Sequence, residues 1–255
     1  MIRNELFINS MKKFIYGRSE KYKFNGNRLL FKTGSRPVRR KYLNSPDDVV
    51  RNDVLQIEFF EKEFGPRDVL WDIGSHFGHY SLFAASVTEG KNQVFSFEPD
   101  AVAKKVQIEN INLNQLNEKI RVLDYAVSDS NGILRFKSQG GNSNSHVIKN
   151  EADEDVDVIS VPTRSIDSLL SELPEPTFVK IDTEGAEIDI LHAASDLLQK
   201  KSVRFICELH PFIWDKFQVS YDQFEAITKK FGRKLELLDP KKRINDLPFY
   251  GTVLF

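Results

Sequence analysis

From Arg67 onward, short apolar runs alternate with amphipathic stretches, and the alternation predicts strands interleaved with helices. Residues 68–73 (DVLWDI) read as a strand. Residues 79–89 (HYSLFAASVTE) read as a helix burying Leu82, Phe83 and Val87. A strand at 93–98 (QVFSFE) and a helix at 101–114 follow, with Val102, Val106, Ile108 or Glu109, and Leu113 at helical spacing. Residues 121–127 (RVLDYAV) form the next strand, and the polar stretch 128–157 reads as a loop, either a mobile segment beside the active cleft or a plain surface excursion. A helix opens at Ser165–Leu170. The strand 177–182 (TFVKID) runs into a helix over 184–199, and 203–209 (VRFICEL) is a strand before a helix at 220–231. Two last runs, 234–239 (KLELLD) and 249–255 (FYGTVLF), have no helix between them, which predicts an antiparallel hairpin.

Continuous apolar runs such as VLW and FIC belong to strands buried on both faces. The expected fold is therefore α/β and Rossmann-like: a mostly parallel sheet, helices on both faces, and a C-terminal antiparallel hairpin. Residues 1–45 read as an appendage, with a helix near 5–16 and a hairpin in YKFNGNRLLF, whose Asn25-Gly26 pair marks the turn. Pro46-Asp47-Asp48 opens a helix in which Val50, Val54, Ile57, Glu58 and the run Phe60–Phe64 keep a loose 3.6 period. The main domain is 46–255.

Charge changes the picture at one end only. The net charge is −1, yet residues 1–45 hold twelve Lys or Arg, from Arg3 to Lys41, against the acids Glu5 and Glu20. Such a basic arm suits an anionic partner: an acidic glycan, a lipid head group at a membrane surface, or nucleic acid. No nucleic-acid motif supports the last. The single cysteine, Cys207, excludes an internal disulfide framework, and no apolar run approaches the roughly 18 residues of a membrane span. The N-terminus lacks a secretory apolar core, so the expected location is cytoplasmic.

The first predicted strand ends in Asp72-Ile73-Gly74-Ser75-His76-Phe77-Gly78, and the second ends at Glu98, 20 residues after Gly78. Glycines at such a turn let backbone N–H groups approach a ligand, and an acid at the second strand tip takes two ribose hydroxyls. A carboxylate at Asp72 suits an ammonium and repels a pyrophosphate, which favours S-adenosylmethionine over a nicotinamide dinucleotide. Asp72 as a helix cap is the structural alternative. Asp182 and Glu184 at a strand-to-helix turn, Glu187, and His210 after the next strand are the candidates for accepting an acceptor proton. His210, as a neutral imidazole held by a carboxylate, is favoured. Asp182, Glu184 and Glu208 also supply hard oxygen ligands for Mg²⁺, although their spacing requires no metal, and no Cys/His pattern makes a zinc site. Lys180 is read as facing away from the neighbours of Asp182, as a structural residue or the partner of an acid. Phe212 and Trp214 are read as core packing or as a stacking wall for a sugar.

The order of DIGSHFG, FEP, AVSD (Ala126 to Asp129), KIDTEGAE (Lys180 to Glu187) and ELHP (Glu208 to Pro211) resembles the FkbM family of S-adenosylmethionine-dependent methyltransferases. The resemblance runs from about Val54 to Phe255, with His76 standing where Asn is common. It implies a class I methyltransferase fold and O-methylation of a hydroxyl on a glycan, glycolipid or natural product. It also implies Asp72, Gly74, Ser75 and Gly78 at the methionine end, Glu98 on the ribose, Ala126 near the adenine, and Asp182 facing the transfer point. The competing readings are a NAD-dependent oxidoreductase and a non-catalytic glycan- or RNA-binding module on the same scaffold.

Overall fold

A computed structural model describes residues 19–24, 26–32, 35, 37, 47–87, 93–138, 145–148, 158–244, 248 and 250–255. The helix expected at 5–16 lies outside them. The expected hairpin is present as β1 (Ser19–Phe24) and β2 (Asn27–Lys32), paired antiparallel with Phe24 opposite Asn27. Then come α1 (Asp48–Glu63), β3 (Val69–Ile73), α2 (His79–Ser86), β4 (Gln93–Phe97), α3 (Ala101–Asn114) and β5 (Ile120–Leu123). Asp47 opens α1 by accepting the amides of Val49 and Val50, and Asp100 opens α3 in the same way through Val102 and Ala103.

The central sheet has the order β12–β13–β11–β10–β3–β4–β5, where β10 is Phe178–Ile181, β11 is Arg204–Leu209, β12 is Glu236–Leu237 and β13 is Gly251–Leu254. The run from β11 to β5 is parallel, and β13 is antiparallel to both β11 and β12. This is the expected mixed ending. Alternate strand residues feed two cores: Trp71, Val179, Phe205 and Cys207 go to one face, and Leu70, Phe178 and Ile206 to the other. On the second face, near the carboxyl ends, the alternation brings up polar residues. Register sets Ser96 beside Asp72 and Asp72 beside Lys180, and all three are buried.

Several sequence expectations change. The strand 121–127 breaks at Asp124-Tyr125, so Ala126–Ser128 becomes β6 of a second sheet, in the order β6–β9–β7–β8. The expected loop 128–157 contributes β7 (Gly132–Lys137) and β8 (His146–Ile148), which pair antiparallel with each other; β7 also pairs antiparallel with β9 (Val158–Ser165). Half-exposed strands carry polar residues on one face, so their composition imitates a loop. Residues 139–144 and 149–157 of this stretch lie outside the description. A 3₁₀ turn (Asp167–Ser171) stands where a helix was expected. The helix expected over 184–199 is two, α4 (Glu187–His192) and α5 (Ser195–Gln199), followed later by α6 (Trp214–Phe217) and α7 (Tyr221–Lys230).

Helix α3 turns a different face inward from the one its apolar spacing predicts. Val102 and Ile108 are exposed, while Gln107 and Asn110 are buried. Gln107 Nε2 donates to Ser96 Oγ while its Oε1 accepts from Ser75 Oγ at 3.3 Å, and the Asn110 amide donates to the Phe77 carbonyl at 3.0 Å. Asn110 Oδ1 also accepts from the Lys32 amide at 2.7 Å, tying the glycine turn to the hairpin. The hairpin's apolar side is part of the core: Phe24 is fully buried and stacks on Phe83 with centroids 4.2 Å apart.

Candidate active site

Parallel pairing continues past the strands and gathers their tips. Gly74 N and Ser75 N both donate to the Phe97 carbonyl, at 3.1 and 3.2 Å, Glu98 N donates to Leu123 O at 3.1 Å, and Asp182 N donates to Ile73 O at 3.0 Å. Gly74 has φ +76°, and a Cβ there would lie 1.8 Å from the Asp182 carbonyl oxygen, so only glycine lets these tips close. A cavity of about 250 Å³ opens above them. Gly74, Ser75, Glu98, Ala126, Asp182 and Glu184 line it.

Asp72 and Gly78 do not line it. Asp72 is wholly buried beneath the turn, and Ser81 Oγ donates to its Oδ2 at 2.6 Å; its Oδ1 has no hydrogen-bond partner. Burial raises its pKa. Gly78 (φ +79°) instead starts α2 against Gln107, whose Cγ a Cβ would meet at 2.6 Å.

Glu98 accepts the amides of His76 at 2.7 Å and Asp100 at 2.8 Å, which fixes its carboxylate at the cavity wall. Burial nonetheless pushes its pKa up to about 7. His76 itself sits at φ +48°, the left-handed geometry that aims its amide at Glu98. Glu184, also left-handed at φ +53°, turns into the cavity, and burial pushes its pKa up to about 7 as well.

Lys180 faces the site instead of turning away. Residues two apart on a strand share a face, so its ammonium reaches Asp182 Oδ2 at 2.8 Å and lies 4.4 Å from the centre of the Tyr80 ring. Burial would lower its pKa, but the charges of Asp182, Asp72 and Glu208 outweigh that and raise it; Lys180 and His210 in turn lower Asp182.

His210 lies just behind the lining. Its Nδ1 is 2.9 Å from Glu187 Oε1, and its Nε2 points toward Asp182 Oδ1 at 3.7 Å, Glu184 Oε1 at 3.7 Å and Glu208 Oε1 at 3.8 Å. Burial alone would depress the imidazole, but the Glu187 hydrogen bond and the surrounding carboxylates push it up to about 10. That direction runs against the neutral imidazole expected from the sequence. Trp214 belongs to the core and donates Nε1–H to Glu187 at 3.1 Å, whereas Phe212 is 70% exposed at the rim, with its ring 6.3 Å from that of Tyr250.

Sequence reasoning missed the wall opposite the strand tips. Val49, Asp53 and Ile57, four residues apart on α1, line the cavity, as do Tyr80 and Tyr250. Among the described residues, Asp53 has no hydrogen-bond partner. Burial and then the charges of Glu208 and Asp182 push its pKa up to about 8. The spacing 49/53/57 carried the signal, but it resembles an ordinary helix face. Gln56 on the same helix donates to Glu208 Oε2 at 2.5 Å, and the Tyr250 hydroxyl donates to Glu208 Oε1.

Residues 72–235, which hold the strand tips and the cavity floor, match the model of the methyltransferase FkbM domain. The chain belongs to the FkbM methyltransferase family. It is 32% identical over 176 residues to the hexuronic acid methyltransferase AglP of Haloferax volcanii, a match covering 68% of this chain and 65% of that relative, just short of two thirds of its length. The crystal structure of methyltransferase FkbM from Methylobacillus flagellatus KT superposes with a TM-score of 0.50 at 17% identity, over 82% of this chain and 55% of that one, a likeness of fold. The FkbM domain here is α/β with a mostly parallel central sheet. Among the described residues, no helix is long and apolar enough to cross a membrane.

Proposed function

We propose that this FkbM protein is an S-adenosylmethionine-dependent O-methyltransferase acting on a glycan or glycolipid that carries a hexuronic acid. The observation that carries the reading is the cavity across the tips of β3, β4 and β10, with a glycine-turn floor and a wall carboxylate fixed by two backbone amides. The residues fit that cofactor. Glu98 keeps lone pairs for two ribose hydroxyls, Ala126 leaves room for a flat base beside it, and the excess of carboxylates suits a cationic donor. When bound, the sulfonium supplies an electrophilic methyl group, and the carbon–sulfur electron pair leaves with sulfur.

The chain's own task is then to orient an acceptor oxygen and take its proton. His210 does not line the cavity, and Asp182 is tied to Lys180. Asp53 is better placed, a carboxylate facing the cavity from α1 with no hydrogen-bond partner among the described residues. Positioning lowers such a barrier by several kcal/mol, and a base adds about 10²–10⁴-fold. An acidic acceptor is supported by the AglP relative and by Pro37, which lines the cavity from within the basic sequence Arg36 to Lys41. The arm's contact with a membrane surface and a cytoplasmic location belong to the same proposal.

The test is methyl transfer from labelled S-adenosylmethionine to p-nitrophenyl glucuronide and p-nitrophenyl glucoside. Label in the glucuronide that survives mild alkali supports an ether on a hydroxyl. An alkali-labile ester would move the reaction to the carboxylate, and Asp53 would lose its role. Absence of transfer to either probe, with no binding of S-adenosylhomocysteine, would overturn the reading.

A further inference from the structure

The cavity poses an electrostatic problem for the acceptor just proposed. Asp53, Asp182, Glu184 and Glu208 all line it, and Lys180 is the one lysine or arginine among the described lining residues. That lysine is already spent on Asp182. A hexuronate entering this space would meet carboxylates, and unlike charges must be supplied for it to stay.

The geometry points to a divalent cation bound by Asp182 Oδ1, Glu208 Oε1 and His210 Nε2, serving as the anchor for the acceptor's carboxylate. These three side chains bring one ligand atom each to within 4.8 Å of one another. With His210 Nε2 at 3.7 Å from Asp182 and 3.8 Å from Glu208, a point equidistant from the three lies about 2.1–2.4 Å from each, the range of divalent ions to oxygen and nitrogen. Glu184 Oε1, also 3.7 Å from Nε2, is in reach of a fourth position.

The imidazole is set up for this role independently of the acids. His210 is 2% exposed, and Nδ1 is committed to Glu187, a buried carboxylate that Trp214 Nε1 and the Gly185 amide also hold. Nε2 is left aimed at the carboxylates, with no hydrogen bond of its own among the described residues. A carboxylate–imidazole pair that presents the second nitrogen outward is how histidine ligands are oriented and made more basic. Glu208 is braced likewise, by Gln56 on one oxygen and Tyr250 on the other. Nitrogen with two carboxylates suits a first-row divalent ion such as Mn²⁺ better than Mg²⁺, whose sites are built from oxygen alone.

The acceptor part of this inference rests on the proposed methyl transfer; the cation site does not. The test titrates chelator-treated full-length protein with Mn²⁺, read by electron paramagnetic resonance and calorimetry, for the wild type, Asp182→Asn and Glu208→Gln. Thermal melts of each variant verify folding. One Mn²⁺ per chain is expected, weakened at least tenfold in each folded variant, and glucuronate should bind at least tenfold tighter to the Mn²⁺ form than in EDTA. Anomalous diffraction from Mn²⁺-soaked wild-type crystals should place the ion between the three side chains, a readout that needs no variant. No Mn²⁺ binding, an ion elsewhere, or unchanged affinity in both folded variants overturns the site. Mn²⁺ bound in place without any gain for glucuronate overturns the anchoring role. S-adenosylhomocysteine binding measured in EDTA separates these failures from failure of the methyltransferase reading.

Discussion

Replacing Gly74 by alanine attacks a point where two strand tips meet backbone to backbone. The new Cβ would overlap the Asp182 carbonyl oxygen at 1.8 Å and its carbonyl carbon at 2.8 Å, and neither is a flexible side-chain end that can swing aside. At φ +76° the alanine also sits in the left-handed region, which costs about 1–2 kcal/mol. Relieving the overlap moves the turn away from β10 and stretches the bonds from Asp182 N to Ile73 O and from Gly74 N to Phe97 O, each worth about 0.5–1.5 kcal/mol. The sum is about 2–5 kcal/mol, a fall in Tm on the order of 10 °C for a chain this long. Denaturant unfolding and calorimetry measure it, with Gly132→Ala as the control, since that Cβ meets nothing nearer than 3.8 Å. The S-adenosylhomocysteine affinity of any folded Gly74→Ala protein should fall with stability. A variant within about 1 kcal/mol of wild type that keeps its cofactor affinity would refute the close approach.

Three more perturbations follow from the same geometry. Glu98 has a pKa pushed up to about 7, and its ionised form is the better acceptor for ribose hydroxyls, so S-adenosylhomocysteine should bind tighter as pH rises from 6 to 8, a trend absent in Glu98→Gln. Because that folded-state pKa lies above the unfolded value, the ligand-free protein should lose Glu98's contribution to stability as pH climbs from about 4.5 through 7; a melt series showing the opposite slope difference between wild type and Glu98→Gln would count against it. Asp53→Asn should lower kcat on the order of 10²–10⁴-fold while leaving S-adenosylhomocysteine affinity within a factor of two, and full turnover in the variant would remove the base role. Phe24→Ala, which unstacks Phe83 and opens a cavity under the hairpin, should cost about 3–5 kcal/mol in denaturant unfolding; a loss below 1 kcal/mol would mean the hairpin is not part of the core.

The parallel strands were legible because burial on both faces leaves continuous apolar runs, and the turn from Asp72 to Gly78 because its glycines are demanded by geometry at Gly74 and Gly78. The second sheet was not, since β7 turns one face to solvent and carries residues such as Arg135 that read as loop, and β9 starts just past the stretch so read. Helix α3 misled for a related reason. Its inward face is built on the hydrogen bonds of Gln107 and Asn110, which no apolar period reveals, while Val102 and Ile108 are exposed. At the site, Glu98, Asp182 and Glu184 could be put at strand tips because their place follows from the strand, whereas Asp72 is buried beneath its turn. Asp53 was not legible, because its importance depends on what α1 packs against. The upward pull on the His210 pKa was equally hidden, since it arises from Glu187, Glu208 and Asp182 converging from separate segments.

The most direct test of the account is calorimetry of S-adenosylhomocysteine with the wild type and Glu98→Ala, set beside NADH. The account predicts one site per wild-type chain, a loss of about 1.5–3 kcal/mol on removing the carboxylate, and no binding of NADH. Tight NADH binding, or S-adenosylhomocysteine affinity indifferent to Glu98, would contradict it.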